Sequence, residues 1–356
     1  SARLEFPLMD VRQIELGETI AAARAACLIA EMATPADAKP GGPEAQYRDG
    51  ERYTLDFAAL PTTPKFGRAS VFSSDKSYWI SGGVSGVGRV LAHHLASNFR
   101  CKLILSGTRQ LPPPEQRDAY AAGHHDSVAA TIRQLRELEA LGAHVTYLAT
   151  DVRDPASIEA SLTLIRAMHP RLDGVYFSAL QLDDKMILQK EWQGYRNMVD
   201  MRVNGVAELI RQTRADRPDF FVLFSSVAGL TGNVGQSDYS ASNVYMDALP
   251  HLETGDTRFL TVQWGPWELG QQVSEFVLEQ LRRSGFLHVN AETGMAALEK
   301  RILSGEKEAA FVPGSYPAPV IADNLNLMRR GVTSRPAKAK PATPSASLPH
   351  PNESHH

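Results

Sequence analysis

The feature that most constrains the fold of this chain is a regular alternation of short apolar runs with segments of helical spacing, which begins at Tyr78. The apolar runs are Tyr78–Ser81, Lys102–Ser106, His144–Ala149, Gly174–Ser178, Phe220–Ser226 and Phe259–Gln263, with a last candidate strand at Glu308–Val312. Each of the first five runs is followed by a helical segment. Strands that alternate with helices are typical of a parallel sheet covered on both faces. We therefore predict an α/β fold with a doubly wound parallel sheet.

A glycine-rich segment, YWISGGVSGVG, joins the first predicted strand to a helix that we expect to begin near Arg89. Gly82 permits a tight turn, Gly86 lets the backbone approach a pyrophosphate, and Gly88 allows close helix packing. The helix N-terminus adds amide donors and the positive end of its dipole. This pattern is typical of a Rossmann-like dinucleotide site, although a glycine-rich turn without a ligand has the same sequence. The predicted cofactor residues here are Gly82, Gly83, Ser85, Gly86, Val87 and Gly88.

The ends of the second and third strands bear on the choice of nucleotide. Ser106 is followed by Gly, Thr and Arg109, with no carboxylate where an NAD enzyme usually carries one for the ribose diol. Arg109 is placed to meet a 2′-phosphate, which favours NADPH, and a solvated loop arginine would give the same pattern. Asp151, with Val152 beside it, is placed to contact the adenine; a helix N-cap would look the same.

Hydroxyl groups follow the fifth strand, Phe220–Ser226, and a helical stretch opens at Tyr239, thirteen residues after Ser226. A serine at a strand end and a tyrosine at the start of the next helix can converge on one point. Such a pair can hold a carbonyl oxygen and deliver a proton to it. A serine N-cap and a half-buried aromatic are the alternative that this pattern leaves open.

Composition excludes several classes of function. A net charge of −3 without a basic run argues against a nucleic-acid partner. No apolar stretch has the length of a membrane span, and the N-terminus lacks a signal-peptide pattern, so we expect a cytoplasmic protein without a membrane partner. Cys27 and Cys101 are the two cysteines, which predicts a reducing compartment without a disulfide framework. We predict no metal site.

The segments around the alternating part are harder to interpret. Glu15–Met32 is alanine-rich with helical spacing, and Arg52–Phe57 alternates like an edge strand. Leu111–His124, which begins with three prolines, is longer than a connection between strand and helix needs. After Gly331 the chain is rich in Pro, Ala, Lys and Ser, which is typical of a flexible linker.

Four motifs combine in this chain: SGGVSGVG after the first strand, LDD at Leu182–Asp184, FSSVAG…GQSDYSASN, and WGPW at Trp264–Trp267. Together they resemble the ketoreductase domain of modular polyketide synthases, a specialised member of the short-chain dehydrogenase/reductase (SDR) superfamily. The likeness covers roughly residues 50 to 320. The LPPPEQ insertion is similar to that of ketoreductases from assembly lines whose acyltransferase acts in trans.

The resemblance implies three regions and a set of partners. Residues 1–72 correspond to a partial structural subdomain, residues 73–325 to a catalytic domain of SDR fold, and residues 326–356 to a flexible Pro/Ala-rich linker. The implied partners are an acyl carrier protein bearing a β-ketoacyl phosphopantetheine thioester and neighbouring polyketide synthase domains. The implied reaction is reduction of that thioester by NADPH.

The resemblance also assigns roles to the polar residues of the site. Ser226 positions the β-keto oxygen, and Tyr239 protonates it as hydride arrives from NADPH. Asn243 stands where a free-standing relative has lysine, and the family draws its lysine from 24 residues before the serine, which is Arg202 here. Arginine keeps the positive charge that favours the tyrosinate but cannot shuttle a proton.

A second departure from the family lies at Phe177–Leu180, which reads FSAL in place of HAAG. Leu180 replaces a glycine and adds a side chain where the cofactor would press closest. Ser178 and Ala179 are the predicted cofactor contacts in this segment.

Two further motifs concern the substrate. Leu182, Asp183 and Asp184 form the LDD motif of B-type ketoreductases, which give a D-configured hydroxyl, although both aspartates would also cap the following helix. Thr231 stands where the opposite class has tryptophan. Trp264 and Trp267 would close the strand before a lid at Glu268–Asn290. Aromatic packing without ligand contact is the alternative for Trp267.

Two functions from different classes therefore remain open. The first is an NADPH-dependent reductase of a carrier-bound β-ketoacyl thioester, which retains the glycine turn, Ser226, Tyr239 and Asn243. The second is a domain that no longer reduces and has a structural or docking role, which Arg202 and Leu180 favour. The same serine and tyrosine turned to proton transfer, such as epimerisation or dehydration, is a third.

Overall fold

The computed structural model of the chain describes residues 2–6, 12–17, 21–33, 44–49, 51–53, 70–253, 255–267, 288–304 and 308–312. These residues form two compact units. The larger unit contains residues 2–6, with helix α1 (Ala2–Glu5), and the described residues from 70 onward. The smaller unit contains the described residues between 12 and 53.

The smaller unit is a three-stranded sheet with one helix. Its elements are β1 (Gln13–Leu16), α2 (Ala21–Ala33), β2 (Glu44–Arg48) and β3 (Glu51–Tyr53). Strand β2 pairs parallel with β1 and antiparallel with β3. Cys27 of α2 packs on Ala45 and Tyr47 of β2.

Two predictions for this unit need correction or restriction. The helix predicted to begin at Glu15 begins at Ala21 instead, because QIEL alternates along β1 and places Ile14 and Leu16 against the buried residues of α2 and β2. The edge strand predicted at Arg52–Phe57 is β3, and residues 54–57 lie outside the described part of the chain.

The larger unit alternates strands and helices, as predicted. After α1 its elements are β4 (Ser77–Ser81), α3 (Gly86–Phe99), β5 (Lys102–Gly107), α4 (Arg117–Gly123), α5 (Ser127–Ala140), β6 (His144–Ala149), α6 (Pro155–Met168), β7 (Gly174–Phe177), α7 (Trp192–Val199), α8 (Gly205–Thr213), β8 (Phe220–Ser226), α9 (Val227–Thr231), α10 (Ser237–Leu252), β9 (Arg258–Trp264), α11 (Ala291–Ser304) and β10 (Glu308–Val312). A π-helical turn, Asp200–Asn204, connects α7 to α8. The excursion at Leu111–His124 contains α4, and α3 begins three residues before the predicted Arg89.

The seven strands form one sheet in the order β10-β9-β8-β7-β4-β5-β6, and every pair is parallel. The predicted doubly wound parallel sheet is therefore confirmed. The chain order reverses between β4 and β7, which pair from Tyr78 with Gly174 to Ser81 with Phe177. In a sheet of this kind, ligands bind beyond the carboxyl ends of the strands at this reversal.

Apolar residues cover both faces of the sheet, because successive side chains of a strand point to opposite sides. In β4, Tyr78 and Ile80 pack in a buried cluster with α3, α5 and α11, whereas Trp79 packs with α6, α8 and α10. All five residues of β4 are buried. The central strands are thus fixed between two helical layers, and their carboxyl ends are held in register.

The remaining global expectations concern cysteines and membranes. Cys27 and Cys101 are both buried, and they form no disulfide. Burial raises the pKa of Cys101 to about 12, which keeps this thiol protonated and inert. None of the described helices is both long and apolar enough to span a bilayer.

Candidate active site

Ser226 and Tyr239 lie at the carboxyl end of the sheet. Ser226 is the last residue of β8, and its Oγ accepts a hydrogen bond from the Ala228 amide at 3.2 Å. It is therefore an N-cap of α9, as the structural alternative predicted, yet the cap uses only an oxygen lone pair and leaves the hydroxyl proton to donate. Tyr239 lies in the first turn of α10 and is half-buried.

Arg202 ties the surrounding elements together. It lies on the π-helical turn, an irregularity often found at functional sites, and its side chain is 1% exposed. Its two terminal nitrogens donate to the carbonyl oxygens of Ala179 and Phe224 at 3.0 Å each and to Oδ1 of Asn243 at 2.7 Å. Asn243 in turn donates from Nδ2 to the carbonyl oxygen of Tyr239 at 2.9 Å. We call these contacts the Arg202 network.

The Arg202 network places a cation against the tyrosine ring. Cζ of Arg202 lies 5.1 Å from the centroid of the Tyr239 ring, within the range of a cation–π interaction. Burial lowers the pKa of Arg202, and the nearby Tyr239 and Asp247 oppose that shift. Arginine stays protonated in proteins, so the site keeps a buried cation beside this ring.

The glycine turn after β4 has the features that a dinucleotide needs. Gly82 has φ +83°, and a Cβ there would lie 2.7 Å from the amide nitrogen of Ala179. A Cβ on Gly88 would overlap the Gly82 carbonyl oxygen, so α3 packs directly on the turn. Gly86 has φ +53° and open space where a Cβ would stand, and Ser85 beside it is exposed. This opening lies at the N-terminus of α3, where amides bind phosphate. Gly83 is buried, with its carbonyl oxygen accepting from Gln134 at 3.1 Å.

The residues predicted for the adenine side are less uniformly placed. Ser106 is buried, and its hydroxyl accepts a hydrogen bond from the Trp79 indole at 2.9 Å, so it stabilises the core. Arg109 is exposed and donates from Nε to Ser127 Oγ at 3.1 Å. Asp151 accepts from the Arg153 guanidinium at 2.6 and 2.9 Å, which lowers the pKa of Asp151. Val152 is buried, with its carbonyl oxygen close to Gly205. Val87 lies half-buried in α3.

The predicted substrate residues lie on the segment after β7. Leu180 and Leu182 are each 47% exposed, whereas Ser178 and Ala179 are half-buried against the glycine turn. Asp183 pairs with Lys185 at 3.3 Å, and Asp184 Oδ2 accepts from Gln236 Nε2 at 2.9 Å. The segment is therefore anchored to the loop before α10.

Trp267 has the packing role that the alternative predicted. Its ring lies edge-on to Trp264, with 4.9 Å between centroids, and a Cβ on Gly294 of α11 would overlap it. Its backbone forms a bridge with Val289. Of the predicted lid, residues 268–287 lie outside the described part of the chain. Thr231 is the last residue of α9.

Sequence reasoning missed two charged residues beside the site. Lys190 Nζ lies 2.7 Å from Oδ1 of Asp238, and both side chains are buried. Asp238 directly precedes Tyr239, which was a signal available in the sequence, whereas Lys190 lies on a distant segment. Among the described residues, no group of three or more His, Cys, Asp or Glu side chains is arranged to hold a metal ion.

The parallel sheet, the glycine turn at its reversal point, the serine at the end of β8 and the tyrosine on α10 define a domain of SDR fold. Residues 76–269, more than half of the chain, match the family described as KR domain. The chain therefore belongs to the ketoreductase domain family of polyketide synthases, as its motifs predicted.

Individual relatives agree with this assignment. The chain is 27% identical over 324 residues to Polyketide synthase PksN of Bacillus subtilis, covering 88% of the chain and 5% of that protein. It is 30% identical over 258 residues to 6-methylsalicylic acid synthase of Penicillium expansum, covering 70% and 14%. A ketoreductase domain from the bacillaene assembly line has a similar fold, with TM-score 0.72, 24% identity, and coverage of 88% and 71%. The chain thus spans a small part of these synthases.

Proposed function

We propose that this domain reduces a β-ketoacyl thioester, carried by an acyl carrier protein, to the β-hydroxyacyl thioester with NADPH as the reductant. The observation that carries the proposal is the Arg202 network, which fixes Tyr239 beside a buried cation at the carboxyl edge of the sheet. Burying an arginine is costly unless it is bonded, and the three acceptors of Arg202 include Asn243 on the helix of Tyr239. We place the reaction in the cytoplasm, among neighbouring polyketide synthase domains.

The glycine turn fits a dinucleotide. Gly86 leaves the N-terminus of α3 open, and Gly82 and Gly88 bring strand, helix and the Ala179 backbone close together. Ser85, Gly86 and Val87 would hold the pyrophosphate, and exposed Arg109 would meet a 2′-phosphate. NADPH, when bound, supplies the hydride that reduces the β-carbon. Asp151 remains our candidate for the adenine contact.

The chain's own residues manage the oxygen and its proton. Ser226 donates its free hydroxyl proton to the β-keto oxygen, and Tyr239 transfers its phenolic proton to the same oxygen as negative charge develops there. Arg202 stabilises the tyrosinate that results. Because arginine keeps its proton, Tyr239 regains one from water or another group rather than from Arg202.

Arg202 has a different task from that of a lysine. Both protons of its Nη2 are used by Phe224 and Asn243, and Nη1 donates to Ala179. These contacts occupy the terminal nitrogens of Arg202 within the protein. They favour a structural and electrostatic role over a contact with ribose. We infer that Asn243, itself on α10, links Arg202 to the Tyr239 carbonyl oxygen and so holds the tyrosine in place.

We assign the product the D configuration. The LDD motif is present, and its Asp184 is bonded to Gln236, three residues before Tyr239, so the motif and the proton donor lie on connected segments. We place the substrate beside Leu182, Asp183 and Asp184, with Trp267 supporting the strand end by packing.

A second candidate is a domain that binds no cofactor and has a structural or docking role. Leu180 favours it, because a side chain 47% exposed stands where the family has glycine. Proton-transfer chemistry by Ser226 and Tyr239 without net reduction is a variant of this candidate.

The deciding experiment is a titration with NADPH followed by cofactor fluorescence, then addition of a β-ketoacyl N-acetylcysteamine thioester and a carrier-bound substrate. We expect binding, loss of NADPH absorbance and a D-configured alcohol.

Tyr239→Phe should bind NADPH normally and lose reduction by about 10²- to 10⁴-fold, whereas Tyr245→Phe, on the same helix, should keep both binding and reduction. Absence of NADPH binding by the wild type would favour the second candidate. Solvent-hydrogen exchange at the α-carbon without NADPH consumption would favour proton transfer.

A further inference from the structure

Two loops meet beside Tyr239. The LDD loop, residues 182–190, follows β7, and the tyrosine loop, residues 233–238, ends with the first two residues of α10. The Lys185 amide donates to the Gly235 carbonyl oxygen at 3.0 Å. Glu5 of α1 accepts from the amides of Ile187 at 2.6 Å and Gly235 at 3.0 Å, and so contacts both loops.

A buried ion pair joins the same loops more deeply. Lys190 Nζ lies 2.7 Å from Asp238 Oδ1, with side chains 7% and 2% exposed. Lys190 Nζ also donates to the Asp183 carbonyl oxygen at 2.8 Å, and Asp238 Oδ1 accepts from the Tyr239 amide at 2.9 Å. One ammonium and one carboxylate therefore connect the backbone of the LDD motif to the backbone of the tyrosine.

This pair is poorly explained as a stabilising device. Burying two charges has a desolvation cost that often cancels their attraction. Asp238 Oδ2 is buried and, among the residues that the structure describes, has no hydrogen-bond partner. A carboxylate tuned for stability would have both oxygens satisfied. The geometry, by contrast, fixes the position of two functional segments.

We propose that Lys190 and Asp238 are positioning residues that hold the LDD loop and Tyr239 in one register, and thereby fix which face of the keto group meets the proton donor. The proposal rests on the proposed reductase function. It assigns stereochemical control partly to a buried pair outside the LDD side chains. Neither side chain needs to contact the reacting atoms, because Lys190 and Asp238 act through the backbone groups of Asp183 and Tyr239.

The test compares Lys190→Met, Asp238→Asn and the double variant with wild type. In the single variants we expect the minor β-hydroxy stereoisomer to increase about tenfold and kcat to fall by about tenfold to a hundredfold, with NADPH affinity unchanged. The matched control is Lys76→Met, which breaks a Lys–Asp pair with Asp219 at the amino ends of the strands, on the side of the sheet away from the site. It should alter neither stereochemistry nor kcat.

The double variant separates position from stability. Removing one partner leaves a buried unpaired group and lowers Tm, whereas neutralising both should return Tm toward wild type. Stereochemical purity should remain lost in the double variant. Recovery of purity together with Tm would overturn the proposal, because the single-variant defect would then be instability alone.

Amide hydrogen exchange tests the same idea without activity. In Lys190→Met the amides of Lys185, Gly235 and Tyr239 should exchange faster than in wild type and in Lys76→Met. Unchanged exchange at these amides would overturn the inference even if the wild type is an active reductase. Faster exchange in Lys190→Met, together with a wild-type protein that reduces nothing, would retain the positional role while rejecting the reductase function.

Discussion

The glycine turn and the Arg202 network lie at the same edge of the sheet, but they are built in opposite ways. The turn depends on side chains that are missing: Gly82, Gly86 and Gly88 leave room or adopt positive φ where a Cβ would interfere. The network depends on a large charged side chain that is buried and bonded to three acceptors. The first leaves backbone open at the start of α3, and the second connects protein segments through a cation.

This difference explains why one part follows the family closely and the other departs from it. An added Cβ would overlap backbone at Gly82 and Gly88, and positive φ disfavours other residues at Gly82 and Gly86. Arg202 brings a positive charge and three hydrogen bonds to the position where the resemblance places a lysine. This chain thus has a cation at that position, but a different residue.

The largest effect is expected from Arg202→Met. This change leaves the Asn243 side-chain oxygen and two carbonyl groups without their hydrogen-bond donor. We therefore expect the free energy of unfolding to fall by at least about 1–3 kcal/mol, with loss of reduction. Thermal and urea unfolding measure the first effect, and NADPH consumption measures the second. Arg211→Met removes an exposed arginine paired with Glu208 and should cost under about 0.5 kcal/mol.

Arg202→Lys sharpens the same test. A lysine keeps the charge but cannot reach three separated acceptors with the fork geometry of arginine. We expect reduced stability with turnover retained within about tenfold, since the cation near Tyr239 is preserved. Turnover as low as that of Arg202→Met would mean that the bonds, and not the charge, decide the role.

The glycine turn should lose function with a smaller change in stability. Gly88→Ala places a Cβ against the Gly82 carbonyl oxygen, and we expect NADPH affinity to fall more than about tenfold as the turn shifts. Gly86→Ala meets open space, but its φ of +53° makes an alanine there unfavourable by roughly 1–2 kcal/mol. Gly123→Ala, at an open position without positive φ, is the control. Equal affinity in all three variants would contradict the assignment of this turn to the pyrophosphate.

The same contrast separates what could be predicted from what could not. Strands β6 and β8 match their predicted bounds, because short apolar runs flanked by polar residues define a strand locally. The acceptors of Arg202 were not predictable, since two are backbone carbonyl oxygens on distant segments. Lys190 and Asp238 are 48 residues apart in the chain, and only the fold brings them together. Local pattern determines elements, whereas tertiary structure determines polar partners.

The smallest effect is expected at Arg109, which follows β5 and is the residue that we propose to meet a 2′-phosphate. Arg109 is exposed, and its Nε donates to Ser127. Among the described residues its terminal nitrogens have no acceptor, so they can bind a phosphate. In Arg109→Gln we expect NADPH affinity to fall about tenfold while NADH affinity changes little, because a charge-assisted hydrogen bond is worth about 1.5–3 kcal/mol. Arg196→Gln, an exposed arginine of α7, should change neither. If both nucleotides weaken equally, Arg109 supports the fold of the adenine side and does not select the phosphate.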